Sequence, residues 1–167
     1  GVASYRPHAL GHPAARELVA ETLAARGAAV PASRCVLTAS TSEAYSFLFK
    51  LLCEPGDEVL VPQPSYPLFE LLTRLDAVTS VAYRLDPHGA WCLDRATLES
   101  AATRRTRAIL IVSPNNPTGS MLRSGDREWL VAFARARGLA IVADEVFFDY
   151  QFAPRAGVVS LAGEARV

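Results

Sequence analysis

The sequence predicts an α/β fold in three layers, with a mostly parallel sheet carrying helices on both faces. Three observations predict it. Helix-like and strand-like segments alternate along the chain, the pattern of a parallel sheet linked by helical crossovers. Two of the strand-like runs, residues 108–112 and 139–143, are apolar throughout, as strands covered on both sides are. Each of those runs ends in a polar cluster: Ser113-Pro114-Asn115-Asn116-Pro117-Thr118-Gly119 after the first, Asp144-Glu145 after the second. Open α/β sheets hold their ligands at such strand carboxyl ends.

Each element follows from local signals. Residues 13–26 read as a helix, with Pro13 near its start and Gly27 after its end. Residues 35–38 read as a short strand. Residues 42–53 read as a helix with Ala44, Phe47, Leu48, Leu51 and Leu52 along one side. Pro55-Gly56-Asp57 is a turn, and residues 58–61 are a strand. A helix over 66–75 and a strand over 78–83 follow. Asp86-Pro87-His88-Gly89 turns the chain, and Asp94 is placed to cap a short helix reaching Ala102. After the strand at 108–112, Ser124 is placed to cap a helix running to Arg137, which Gly138 ends. Residues 139–143 are a strand, and 158–161 begin another.

Composition narrows the function. The 167 residues suffice for one compact domain or part of a larger one. Hydrophobic residues make up 50% and formal net charge is zero, so a core can form and a basic nucleic-acid surface is not expected. No apolar run reaches the roughly 20 residues of a membrane helix, so no membrane partner is expected either. Cys35, Cys53 and Cys92 are odd in number and lack metal-type spacing, which reads as reduced thiols of a cytoplasmic protein. His8 and His12 have helical spacing, but Gly11 and Pro13 disfavour a helix there, and no metal site is expected. The 17 Lys and Arg residues include a single lysine, Lys50. The start at Gly1 and a sheet pattern that stops after 158–161 suggest a piece of a longer domain.

Four segments are able to carry chemistry. In Thr38-Ala39-Ser40-Thr41-Ser42-Glu43 a strand-like run gives way to a helix start rich in hydroxyls. Helix N-terminal N–H groups and Ser or Thr hydroxyls suit a phosphate, although Ser and Thr are also ordinary N-caps. Pro62-Gln63-Pro64-Ser65-Tyr66-Pro67 presents Tyr66 at a strand edge. Its ring suits stacking on a planar heterocycle, or packing on the sheet. Asn116, in Asn-Pro-Thr-Gly, offers both a donor and an acceptor, in what is otherwise a turn. Asp144 follows an apolar strand, and a carboxylate there needs a partner: a ligand cation, a helix cap or an ion pair.

The run from Ser113 to Gly119, followed by Asp144, resembles the cofactor site of class I/II aminotransferases, fold type I enzymes dependent on pyridoxal phosphate. The order Tyr5, Gly11, Arg16, then Ser40 to Ser42, Tyr66, Asn116 and Asp144 extends the resemblance over nearly the whole chain. It implies that residues 1–167 are the front part of the pyridoxal-phosphate-binding large domain, with the small C-terminal domain and the Schiff-base segment beyond it. It implies phosphate binding by Ser40, Thr41 and Ser42, where the family commonly has Gly near Ser40. It further implies ring stacking by Tyr66, contact of Asn116 with the ring 3-hydroxyl and substrate carboxylate, and pairing of Asp144 with the ring nitrogen. Tyr5 would reach the cofactor phosphate of a neighbouring subunit, so a homodimer is expected. The implied reaction moves an amino group from an amino acid to a 2-oxo acid.

Two departures limit the resemblance. Phe147 stands where many members have a Tyr hydrogen-bonded to the 3-hydroxyl, and Phe cannot supply that bond. The Schiff-base lysine is the larger gap. Lys50 lies inside the helix after the phosphate loop, away from the ligand edge, so the chain by itself is expected to be inactive. Three alternatives stay open: another fold type I reaction, such as C–S lysis or aminocyclopropane-carboxylate formation; an aminotransferase-like effector domain of a transcriptional regulator; and a structural α/β domain without the cofactor.

Overall fold

The computed structural model describes residues 6–150, 157–158 and 160–163, in two compact units. The first unit comprises Gly1–Ala44 with Ser160–Arg166, and the second Tyr45–Val159 with Val167.

In the first unit, α1 spans Pro13–Ala25, with Pro13 where a missing N–H costs nothing. The Arg16 guanidinium donates to the carbonyls of Cys35 and Ala32, both at 2.7 Å. It thereby ties α1 to a 3₁₀ turn at Ala32–Arg34. Residues 35–38 were expected to form a strand and do not. Cys35 N–H turns back to the Ala32 carbonyl at 3.1 Å and Leu37 N–H donates to the Leu10 carbonyl at 3.0 Å, and these two bonds to a turn and a loop make no ladder. The second bond draws Leu37 onto Gly11. A Cβ at Gly11 would lie 2.6 Å from Leu37 Cβ, and φ there is +94°, so only glycine fits.

The next helix, α2 (Thr41–Leu52), leads into the second unit. There the chain runs through β1 (Glu58–Gln63), α3 (Phe69–Leu75), β2 (Thr79–Asp86), β3 (Cys92–Leu93) and α4 (Arg95–Ala101). It continues through β4 (Thr106–Val112), α5 (Ser124–Arg137) and β5 (Ala140–Asp144). The sheet order is β3-β2-β1-β4-β5; β2, β1, β4 and β5 are parallel and β3 is antiparallel to β2. The expected mostly parallel sheet is therefore present. Five further details differ from expectation. The helix predicted from Tyr66 starts at Phe69, because the prolines at 62, 64 and 67 hold the chain out of helix first. The turn at 86–89 closes a short hairpin onto β3, which the sequence does not signal. Arg123, not Ser124, is the cap residue of α5. In place of a strand at 158–161, Val158 makes one isolated bridge with Arg123, and Val159 lies outside the described residues. The fifth detail concerns α2. Tyr45 and Phe49 are its buried side chains, with Leu48 and Leu52 partly so, while Phe47 and Leu51 are 52% and 78% exposed. The stripe facing the sheet is thus offset from the predicted one.

The core joins Tyr45 and Phe49 of α2 and Phe69 of α3 to Val59, Ala108, Leu110, Val112 and Val142 of the strands. Ile109 and Ile111 alternate with these along β4 and are buried too, as are Leu98 of α4 and Leu130 and Ala134 of α5. Right-handed crossovers put α3 on one face and α4 and α5 on the other, which covers both faces of β4. Chain direction across the sheet reverses between β1 and β4. Their carboxyl ends are the switch point at which such sheets bind ligands.

A proline in a central strand removes a ladder donor. Pro62 of β1 does so beside β4. Continuing the register from Leu60 opposite Ile109 puts the Pro62 nitrogen toward the Leu110 carbonyl. The fully buried Tyr83 hydroxyl donates to that carbonyl at 2.9 Å and replaces the missing N–H. Burial pushes this phenol well above its usual range, so it keeps its proton.

Candidate active site

The loops after β1 and β4 meet at the switch point, and Asn115 joins them. Its Nδ2 donates to the Pro64 carbonyl at 3.1 Å and to Thr118 Oγ1 at 2.8 Å, and its Oδ1 accepts from Ser65 Oγ at 3.4 Å. Its backbone N–H donates to the Ser120 carbonyl, and its carbonyl accepts from Gly119 N–H. Gly119 makes that turn at φ +68°. Ser113 Oγ accepts from Leu122 N–H at 2.9 Å and closes the loop base. Peptide bonds Gln63-Pro64, Ser113-Pro114 and Asn116-Pro117 are cis.

With Asn115 holding the loop, Asn116 is left half-buried, and its side-chain amide makes no hydrogen bond among the described residues. Tyr66 lies in the adjoining loop, 41% exposed, with its ring edge-on to Phe69 at 5.9 Å. Asp144 ends β5 in register with Val112 of β4, and its carbonyl accepts from Ser113 N–H at 2.9 Å. The fold therefore brings together the Tyr66 loop, the Asn116 loop and Asp144 at neighbouring strand ends.

The Asp144 carboxylate is half-buried and has two donors. Tyr45 Oη donates to Oδ2 at 2.5 Å, and Val146 N–H donates to Oδ1 at 3.0 Å. Burial, that hydrogen bond and the Asp144 charge all push the Tyr45 hydroxyl far above the usual phenol range. It is the donor at any ordinary pH. Asp144 is thus neither a helix cap nor half of an ion pair with a described basic residue. Phe147 is 41% exposed and meets the Tyr150 ring edge-on at 6.0 Å, which places Tyr150 beside Phe147.

Ser40, Thr41 and Ser42 belong to the first unit. Ser40 Oγ accepts from Glu43 N–H at 3.2 Å, and Glu43 Oε2 accepts from Ala39 N–H at 2.6 Å. This resembles a capping box, except that the glutamate reaches the N–H of the residue before the cap. Ser40 is used as a cap, yet its hydroxyl hydrogen remains available to an anion. Among the described residues, Thr41 and Ser42 have no side-chain hydrogen bond. Tyr5 lies outside the described residues.

Lys50 is committed elsewhere. Its Nζ pairs with Asp76 Oδ1 at 2.7 Å and also bonds Ser46 Oγ. Asp76 precedes β2, at the amino-terminal edge of the sheet, opposite Asp144. The three cysteines are free thiols. His8 and His12 meet edge to face at 5.8 Å, and among the described residues no three His, Cys, Asp or Glu groups are placed to hold a metal ion. No helix among the described residues is long and apolar enough to cross a membrane.

Two site residues escaped the sequence reading. Asn115 hides behind Asn116, because a doubled Asn gives no sign of which member folds the loop. Tyr45 carried a usable signal: a polar atom at the buried i, i+4 position beside Phe49 needs a partner.

Fold and site together define an α/β domain with polar loops gathered at the switch-point edge of a parallel sheet, the edge at which such sheets bind ligands. Residues 3–166 match the family model for aminotransferase class I and II. The chain is 39% identical over 106 residues to an alanine aminotransferase of Mycobacterium tuberculosis, covering 64% of this chain and 25% of that protein. It is 31% identical over 147 residues to nicotianamine aminotransferase 1 of Oryza sativa, covering 87% and 30%. Among solved structures, alanine aminotransferase from Pyrococcus furiosus superposes with a TM-score of 0.88 at 28% identity, over 97% of this chain and 41% of that one. An aspartate aminotransferase double mutant from Thermus thermophilus gives 0.79 at 30% identity, over 86% and 37%. The chain belongs to the class I and II aminotransferase family. It spans between a quarter and a third of the length of these two curated relatives.

Proposed function

We propose that the complete protein moves an amino group from an amino acid to a 2-oxo acid with pyridoxal phosphate, and that this chain supplies the half of the site that holds the ring. One observation carries the reading. At the switch point, Asn116, whose amide has no partner among the described residues, lies in the loop after β4, and the neighbouring strand ends in a half-buried Asp144 whose only described partners are neutral donors. A protonated pyridine nitrogen is the cation such a carboxylate lacks, so the residues present fit the cofactor.

Pyridoxal phosphate, when bound, supplies an electron sink for the charge left at a substrate Cα. Asp144 keeps the ring nitrogen protonated by pairing with it. Asn116 binds the ring 3-hydroxyl and orients a substrate carboxylate. Tyr66 covers one ring face. Ser40, Thr41 and Ser42 take the phosphate, and Tyr5 that of a partner subunit, on the resemblance of their motifs. Lys50 is not the attachment lysine, since its amine is held by Asp76. On the same proposal, residues 1–167 are the front of the large domain, with the lysine supplied by a later segment. Phe147 leaves the 3-hydroxyl contact to Asn116.

Full-length protein given alanine, aspartate or tyrosine with 2-oxoglutarate tests the reading. Glutamate should form together with the donor's 2-oxo acid, and Asp144→Ala should abolish this. Elimination products without glutamate, or full activity in Asp144→Ala, would refute it.

A further inference from the structure

Resting on that cofactor assignment, we propose that Tyr45 is a positioning residue, whose hydroxyl, together with Val146 N–H, fixes the plane and rotamer of the Asp144 carboxylate that pairs with the ring nitrogen. Each Asp144 oxygen accepts one hydrogen bond, from a different element: α2 supplies Tyr45 Oη at 2.5 Å, and the turn after β5 supplies Val146 N–H at 3.0 Å. Two donors on two oxygens leave the carboxylate no free rotation. They also leave it acceptor capacity, because an ionised carboxylate offers about four lone-pair sites.

Tyr45 is itself held. Its ring stacks on Phe49 with centroids 5.9 Å apart and meets Phe69 edge-on at 5.2 Å, and the side chain is 4% exposed. The hydroxyl cannot swing to another acceptor or reach bulk water. An apolar ring would pack equally well in this cluster. Burying a hydroxyl there is costly unless it is bonded, and Asp144 is the partner it reaches. A charged acceptor makes such a bond strong. Tyr45 remains the neutral donor because burial and the nearby carboxylate hold its proton on. Positioning acts through Asp144, so its effect belongs to ligands that carry a ring nitrogen. Packing would affect every ligand alike.

The experiment titrates full-length apoprotein with pyridoxal phosphate and with its 1-deaza analogue, in which carbon replaces the ring nitrogen. The proteins are wild type, Tyr45→Phe, Asp144→Ala and the double variant, and the readout is the dissociation constant. Tyr45→Phe should weaken pyridoxal phosphate about tenfold and the analogue less than about twofold, in keeping with one hydrogen bond to a charged group. In the Asp144→Ala background the same change should cost nothing further. Equal weakening of both ligands, or an unchanged constant for pyridoxal phosphate, would overturn the proposal while leaving the cofactor assignment standing. Wild type that fails to bind pyridoxal phosphate, or Asp144→Ala that binds as tightly as wild type, would overturn the cofactor assignment and the positioning role together.

Discussion

Tyr83→Phe tests whether a side chain completes the sheet where Pro62 interrupts it. The substitution removes one oxygen from a fully buried ring and leaves the packing in place. The hydroxyl's hydrogen bond to the Leu110 carbonyl, 2.9 Å, is lost, and that carbonyl is left buried beside a proline that cannot donate. An unsatisfied buried acceptor costs about 1–3 kcal/mol. With a urea slope of about 2 kcal/mol per molar, the unfolding midpoint of the full-length protein should fall by about 0.5–1.5 M, with the slope unchanged. Pro62→Ala restores an N–H able to reach Leu110. In that background Tyr83→Phe should cost less than half as much, a coupling that a double-mutant cycle reads directly. A cost below about 0.3 kcal/mol, or an equal cost in both backgrounds, would refute the reasoning, since independent sites simply add.

Three further outcomes follow from single sites. The Asp57 carboxyl is held below its ordinary range, first by the Glu54 N–H and then by the Arg107 guanidinium at 2.9 Å. Its contribution is complete above the unfolded-state value near pH 4 and is lost as pH falls through the lower folded value. The urea-midpoint gap between wild type and Asp57→Asn should therefore be flat from about pH 7 to 5 and shrink below about pH 4; a gap that widens on acidification would contradict this. Gly11→Ala should destabilise by more than about 2 kcal/mol in thermal melts, because positive φ and a 2.6 Å approach to Leu37 combine; a neutral melt would refute it. Lys50→Ala in the full-length protein should leave cofactor absorption and activity intact, since its amine serves Asp76; loss of the absorption band would make Lys50 the attachment residue.

The parallel sheet was legible because its strands are apolar on both faces and end in punctuated polar runs. The placement of Asn116 and Asp144 at neighbouring strand ends was legible for the same reason: Asn116 lies in the punctuated loop after β4, and Asp144 is the polar residue that closes β5. The hairpin onto β3 was not legible. It depends on Ala90 and Trp91 taking positive φ, and on Trp91 N–H reaching the Asp86 carbonyl, which neither residue type announces. The missing strand at 35–38 has the opposite cause, since an apolar run carries strand propensity but cannot name a partner. Tyr45 was missed because α2 is apolar over a broad arc. The periodicity fits the exposed Phe47 and Leu51 as well as the buried Tyr45 and Phe49. Choosing between those stripes requires knowing that Asp144, 99 residues later, sits beneath one of them.

The central claim is that Asp144 holds a ring nitrogen at the switch point. A crystal structure of the full-length protein grown with pyridoxal phosphate tests it most directly. The account predicts an Asp144 carboxylate oxygen at about 2.7–2.9 Å from the pyridine nitrogen, the Asn116 amide at the 3-hydroxyl, and Tyr45 still bonded to Asp144. A ring bound elsewhere, or Asp144 turned away from the nitrogen, would contradict it.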